Sequence, residues 1–129
     1  MSWEGPQPVK LSLIAGGDLS GKQFYFVKLS ADNTVVICAA TTDIAIGVLQ
    51  NKPASGATAE VVTVGVTKVS ADATLAVGDL IGTSADGQAD VKTAGETTQY
   101  VLGQVISGAA ANGLATVVID CSNPTRAGS

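Results

Sequence analysis

Apolar and polar residues along this chain alternate in short runs, and almost nowhere fall at helical spacing. Lys10-Leu11-Ser12-Leu13-Ile14 alternates as a strand does and stops at Gly16-Gly17. Residues 23–29 are aromatic and apolar with no helical period, which also predicts a strand. The β-branched run 35–38 (Val-Val-Ile-Cys) suits a strand buried on both faces. Residues 41–45 have room for one helical turn capped by Thr41 or Thr42, and 46–49 resume a strand. The clearest alternation covers 59–69, placing Val62, Val64 and Val66 on one face and Thr63, Gly65 and Thr67 on the other. Strands are expected again near 80, over 100–106 and over 115–121. Pro53-Ala54-Ser55-Gly56, Ala71-Asp72, Gly78-Asp79 and Asp86-Gly87 carry turn chemistry. No segment sustains the i, i+3, i+4 pattern of a long amphipathic helix, so the fold class is mainly β.

The pattern is also written twice. Ser30-Ala31-Asp32 matches Ser84-Ala85-Asp86 at an offset of 84 − 30 = 54. Thr41-Thr42 falls on Thr97-Thr98, Gly47 on Gly103, and Ala59 to Val62 on Ala115 to Val118, at an offset of 103 − 47 = 56. Two copies are too few for a solenoid or propeller. They predict a small single-domain β-barrel, or compact sandwich, built from two similar halves.

Residues 1–9 hold Trp3, Pro6 and Pro8 and read as an extended N-terminal arm; residues 10–121 form the barrel domain and 122–129 a flexible C-terminal tail. At 129 residues, one core is the expectation. Only 4% of residues are aromatic, so that core must be built from Val, Ile, Leu and Ala. Charged residues make up 14%, against a typical quarter, leaving a surface that desolvates at low cost against a partner. The net charge of −4 and the scattered Lys and Arg argue against nucleic acid, which needs clustered cations. The apolar runs are short and broken by Gly, Thr and Asp, so neither a membrane span nor a secretory signal is expected. Cys38 and Cys121 lie in separate strand-like runs and read as buried free thiols.

Catalytic chemistry finds little support. Gly16-Gly17-Asp18-Leu19-Ser20-Gly21-Lys22 has the spacing of a phosphate-binding loop, but Gln23 stands where a metal-binding hydroxyl belongs, and a strand follows where a helix is needed. A Gly-rich turn accounts for it. The chain has no histidine, hence no His-based triad or His-ligated metal. Asp86-Gly87 with Asp90 lacks the further oxygen ligands of a calcium loop. No enzyme activity, cofactor or metal is expected. Phe24, Tyr25, Phe26 and Tyr100 read as core or edge residues. Trp3, with Pro6 and Pro8, is the candidate partner contact: an indole outside the folded body either folds back on it or inserts into a neighbour.

The run 46–69, IGVLQNKPASGATAEVVTVGVTKV, resembles the small capsid decoration, or cement, proteins of tailed bacteriophages. The Gly78-Asp79 corner and the closing pair Leu102-Gly103-Gln104-Val105 and Ala115-Thr116-Val117-Val118 extend the resemblance across roughly residues 9–121. It implies a small β-barrel on the outer surface of a virion, made in the host cytoplasm. The implied partner is the major capsid protein, with self-association as a trimer around capsid symmetry axes. The implied action is to stabilise contacts between capsid subunits in the assembled head. The other class consistent with the residues is a β-sandwich binding module for carbohydrate or receptor, although such modules usually carry more exposed aromatics.

Overall fold

The computed structural model describes residues 9–92, 99–122 and 125–126, and among these it contains eleven strands and no helix. They are β1 (Val9–Ala15), β2 (Phe26–Ala31), β3 (Thr34–Ile37), β4 (Gly47–Leu49), β5 (Thr58–Ser70), β6 (Leu80–Thr83), β7 (Ala89–Val91), β8 (Tyr100–Val101), β9 (Gly103–Ser107), β10 (Leu114–Asp120) and β11 (Thr125–Arg126). The expectation of a mainly β, barrel-like single domain is borne out.

The first copy closes on itself. Its strands run in the order β1-β3-β2-β4-β5, and β5 returns to pair with β1, completing a five-stranded barrel. β1 lies parallel to β3 through Ile14↔Thr34 and Ala15↔Val35, while the other pairings are antiparallel. So narrow a barrel leaves room only for small and branched side chains. Its interior holds Ala15, Leu19, Val27, Val35, Leu49, Ala59 and Val61.

The second copy repeats this arrangement and shares β5 with the first. From β5 the sheet continues β10-β9-β6-β7, and a parallel bridge Ala71↔Ala89 brings β7 back to the end of β5. That bridge occupies the place of Ala15↔Val35 at the offsets 71 − 15 = 56 and 89 − 35 = 54. The backbone bonds recur with it. Gly16 N donates to Val35 O at 2.8 Å and Asp72 N to Ala89 O at 2.9 Å; Leu19 N donates to Pro53 O at 2.9 Å and Leu75 N to Ala109 O at 2.8 Å. Phe24 N donates to Leu49 O and Gly78 N to Val105 O, and both donors have positive φ, 69° and 89°. Each interior side chain of the first barrel has its counterpart in the second: Ala71, Leu75, Ile81, Ala89, Val105, Ala115 and Val117.

The outward-facing row Phe26–Val48–Val62 on β2, β4 and β5 joins the second core and is fully buried. The first barrel thus lays one wall across an end of the second. Around that junction Phe26 N donates to Gly87 O at 2.7 Å, Ser70 N to Phe24 O at 2.9 Å, and Gln50 Nε2 to Thr67 Oγ1 at 2.8 Å.

Several local expectations need correction. Residues 41–45 form no helical turn. The Asp43 carboxylate accepts the Ala39 and Ala40 amides at 2.8 and 3.0 Å and pairs with Lys28 Nζ at 3.0 Å, which holds a turn instead. β2 begins only at Phe26, because Phe24 takes a left-handed backbone that a strand cannot accommodate. In β3, Val36 and Ile37 are half-buried, so that strand is not enclosed on both faces. The face of β5 that carries Val62, Val64 and Val66 is buried at Val62, in the second core, and opens outward along its length. Val66 is exposed, whereas Val61 and Val69, on the opposite face, fill the two barrels. Gly65, with φ 133°, sits where the strand passes from pairing with β1 into the second barrel. Of the expected tail, residues 125–126 pair antiparallel with β8.

Gly47 and Gly103 hold the same position in the two copies, where β4 crosses β5 and β9 crosses β10. A Cβ on Gly47 would collide with Val62 O, and one on Gly103 with Val118 O. Gly47→Ala and Gly103→Ala are therefore each expected to lower the unfolding free energy by about 1–3 kcal/mol in a urea titration. Gly17→Ala, whose Cβ would meet nothing, is the unchanged control.

Candidate interaction surfaces

The loop with phosphate-binding spacing is a turn between β1 and β2. Asp18 Oδ1 accepts the Ser20 amide at 3.1 Å, and the Ser20 side chain and amide together hold its carboxyl below the usual aspartate value. The Lys22 ammonium lies 4.9 Å from the Tyr25 ring centroid, stacked on its own chain. A strand follows, so there is no helix N-terminus to receive a phosphate.

The aspartates of the β6–β7 hairpin are likewise engaged in the turn. Asp86 accepts from the Ser84 hydroxyl and, at 3.3 Å, from the Gln88 amide, and these bonds keep its carboxyl low. Asp72, bonded to Asp86, is pushed up by partial desolvation and by the charges of Asp86 and Asp90. Among the described residues no group of three or more His, Cys, Asp or Glu is placed to hold a metal. Behind the hairpin Gln88 Nε2 bonds Ser70 Oγ at 2.8 Å and Asn112 Oδ1 at 3.1 Å, satisfying a buried amide as a core requires.

Both thiols are free and buried in the second core, as the sequence suggested. Desolvation pushes Cys38 and Cys121 each up to about 12. Phe26 is core. Phe24 and Tyr100 pack partly buried against the same cluster, and Tyr25 is half-buried under Lys22. Trp3, Pro6 and Pro8 lie outside the described residues.

Among the described residues two apolar surfaces stand out, and neither was visible in the sequence pattern. One is an open pocket of ≈ 490 Å³ at an end of the first barrel, lined by Leu11, Leu13, Leu29, Ala31 and Ile46, with Asp32 and Asn33 at its rim. β1 and β3 pair only through the last two residues of β1 and the first two of β3, so the start of β1 has no β3 partner beside it. The other is the outer face of the second barrel, where Val66, Val118, Gln104 and Leu80 stand side by side across β5, β10, β9 and β6. All four are exposed, with Val66, Leu80 and Val118 each about half covered. Alternation alone does not distinguish such residues from core.

No protein-family model matches the chain, and no curated protein is similar to it in sequence. In three dimensions it is similar to the head fiber gp8.5 N base of bacteriophage phi29, with a TM-score of 0.67 and 22% identity, covering 89% of this chain and 96% of that one. At that identity the likeness is one of fold. The class defined by the fold is an all-β double barrel, and the likeness to that fiber base is one of architecture.

Buried thiols with a pKa near 12 should resist modification at neutral pH. Native protein is expected to show less than about one-tenth of its thiol titre with an aromatic disulfide reagent within minutes, and the full titre of both cysteines in denaturant. Rapid reaction of either in the native state would contradict the burial described.

Proposed function

We propose that this protein is a structural component of a phage head: a decoration protein that binds the outer surface of the assembled capsid and stabilises contacts between major capsid subunits. The observation that carries this reading is the fold shared with a head fiber base across nearly the whole chain. The surface is consistent with it. Charge is sparse, and the exposed chemistry is apolar side chains and hydroxyls rather than a set of converging acids, bases and nucleophiles. A protein that binds only the assembled shell stabilises it by mass action, because separating the subunits requires giving up those contacts. The segment bearing Trp3, Pro6 and Pro8 precedes β1 and is proposed to contact the neighbouring capsid subunit, an indole contributing on the order of 2–3 kcal/mol once buried.

The same likeness favours a second reading, in which the double barrel is the base of a longer head appendage. The two differ in what binding does to the shell. Purified protein is expected to co-sediment saturably with expanded heads that lack it and to raise the melting temperature of the particles. Trp3→Ala is expected to weaken binding roughly 30-fold or more, following the affinity equivalent of that burial. Saturable binding without a change in particle melting would select the appendage base, and no binding to heads at any stage of maturation would refute both.

A further inference from the structure

The duplication makes one contact inside the molecule a template for a contact between molecules. Each barrel has an open end, its mouth, and an outer strand row, its wall. Within the chain the wall of the first barrel, Phe26–Val48–Val62, covers the mouth of the second. That mouth is accordingly closed: Thr83 is 1% exposed, Thr67 and Gln88 are buried, and Gly87 sits against Ile37 and the Phe26 and Cys38 carbonyls.

The equivalent positions at the mouth of the first barrel are uncovered. Leu29 stands where the second copy has Thr83 (83 − 29 = 54) and is 53% exposed, and Leu11 stands where it has Thr67 (67 − 11 = 56) and is half-exposed. The uncovered mouth is therefore the more apolar of the two, the reverse of what burial alone would select. The wall of the second barrel is uncovered as well. Its row Leu80–Gln104–Val118 has the register of Phe26–Val48–Val62 (80 − 26 = 54, 104 − 48 = 56). Leu80 is 47% and Val118 41% exposed, against 0% for Phe26.

We infer that a second copy of this chain fills the vacant mouth: the wall of its second barrel, centred on Leu80 and Val118, docks on the Leu11–Leu29 mouth of the first barrel. The contact repeats between chains the geometry that the fold already uses within one. It is heterologous, each copy offering one mouth and one wall. Copies therefore add head to tail, closing into a ring if the rotation per copy divides a full turn and otherwise growing as a filament. The inference does not depend on attachment to a head, since both surfaces are present on the isolated chain.

Sedimentation velocity of the purified full chain, from micromolar to near-millimolar concentration, tests it. Wild-type protein is expected to associate beyond the dimer. Leu29→Asp (mouth) and Leu80→Asp (wall), both at exposed positions, are each expected to sediment as monomers with wild-type circular dichroism. Mixed in equal amounts they are expected to form a dimer and nothing larger, because the intact wall of the first fits the intact mouth of the second and the other two surfaces are blocked. If either aspartate variant fails to fold, Leu29→Ser and Leu80→Ser serve in the same mixing experiment. Wild-type protein monomeric at every concentration, a variant that associates like wild type, or a mixture that stays monomeric would each overturn the inference. So would association that appears only after residues 1–8 are removed, which would mean that the chain's own N-terminal segment occupies the mouth.

Discussion

The structure depends on one apolar contact, the closure of the second barrel by the wall of the first. A five-stranded barrel is too narrow to bury much on its own, and each copy encloses only small and branched side chains. Placing Phe26, Val48 and Val62 over the second mouth makes two marginal cores into one continuous unit. Full burial of such side chains contributes about 1.5–3 kcal/mol each. The shared strand β5 makes the contact obligatory, since one continuous backbone forms a stave in both barrels. The polar ring around the junction, Gln50 on Thr67 and Gln88 on Ser70 and Asn112, satisfies the buried amides that the contact would otherwise strand.

Much of this was legible in the residues, and the misses have physical reasons. The duplication, the mainly β class, the turns at Gly56, Gly78 and Gly87 and the free buried thiols all follow from local chemistry that the tertiary structure keeps. What sequence reasoning did not reach is that each copy closes separately. Closure rests on pairings between distant residues, Ala15 with Val35 and Ala71 with Ala89, and no local pattern encodes them. Alternation along β5 separates its two faces but does not say which is buried: Thr63 and Thr67 are buried while Val66 is exposed, because the strand serves both barrels. The turn at 41–45 was read as helical because its composition permits a helix. The Asp43 carboxylate instead accepts the Ala39 and Ala40 amides just before that segment and holds a turn.

The interaction surfaces were the least legible part. Leu29 and Leu80 fall in strand-like runs, and only their places in the two copies show one mouth and one wall that the described residues leave uncovered. A body of low charge, with apolar faces at both ends, is suited to repeated docking on like or unlike subunits, which is how the proposed role on a phage head and the proposed head-to-tail contact are related.

The central claim is that equivalent positions in the two copies carry unequal loads because only one wall is covered. Equilibrium unfolding of Phe26→Ala and Leu80→Ala at a concentration where the chain is monomeric tests it most directly. The account predicts a loss of about 3–5 kcal/mol for Phe26→Ala, as for a buried core aromatic, and less than about 1 kcal/mol for Leu80→Ala. Equal losses at the two positions would contradict it.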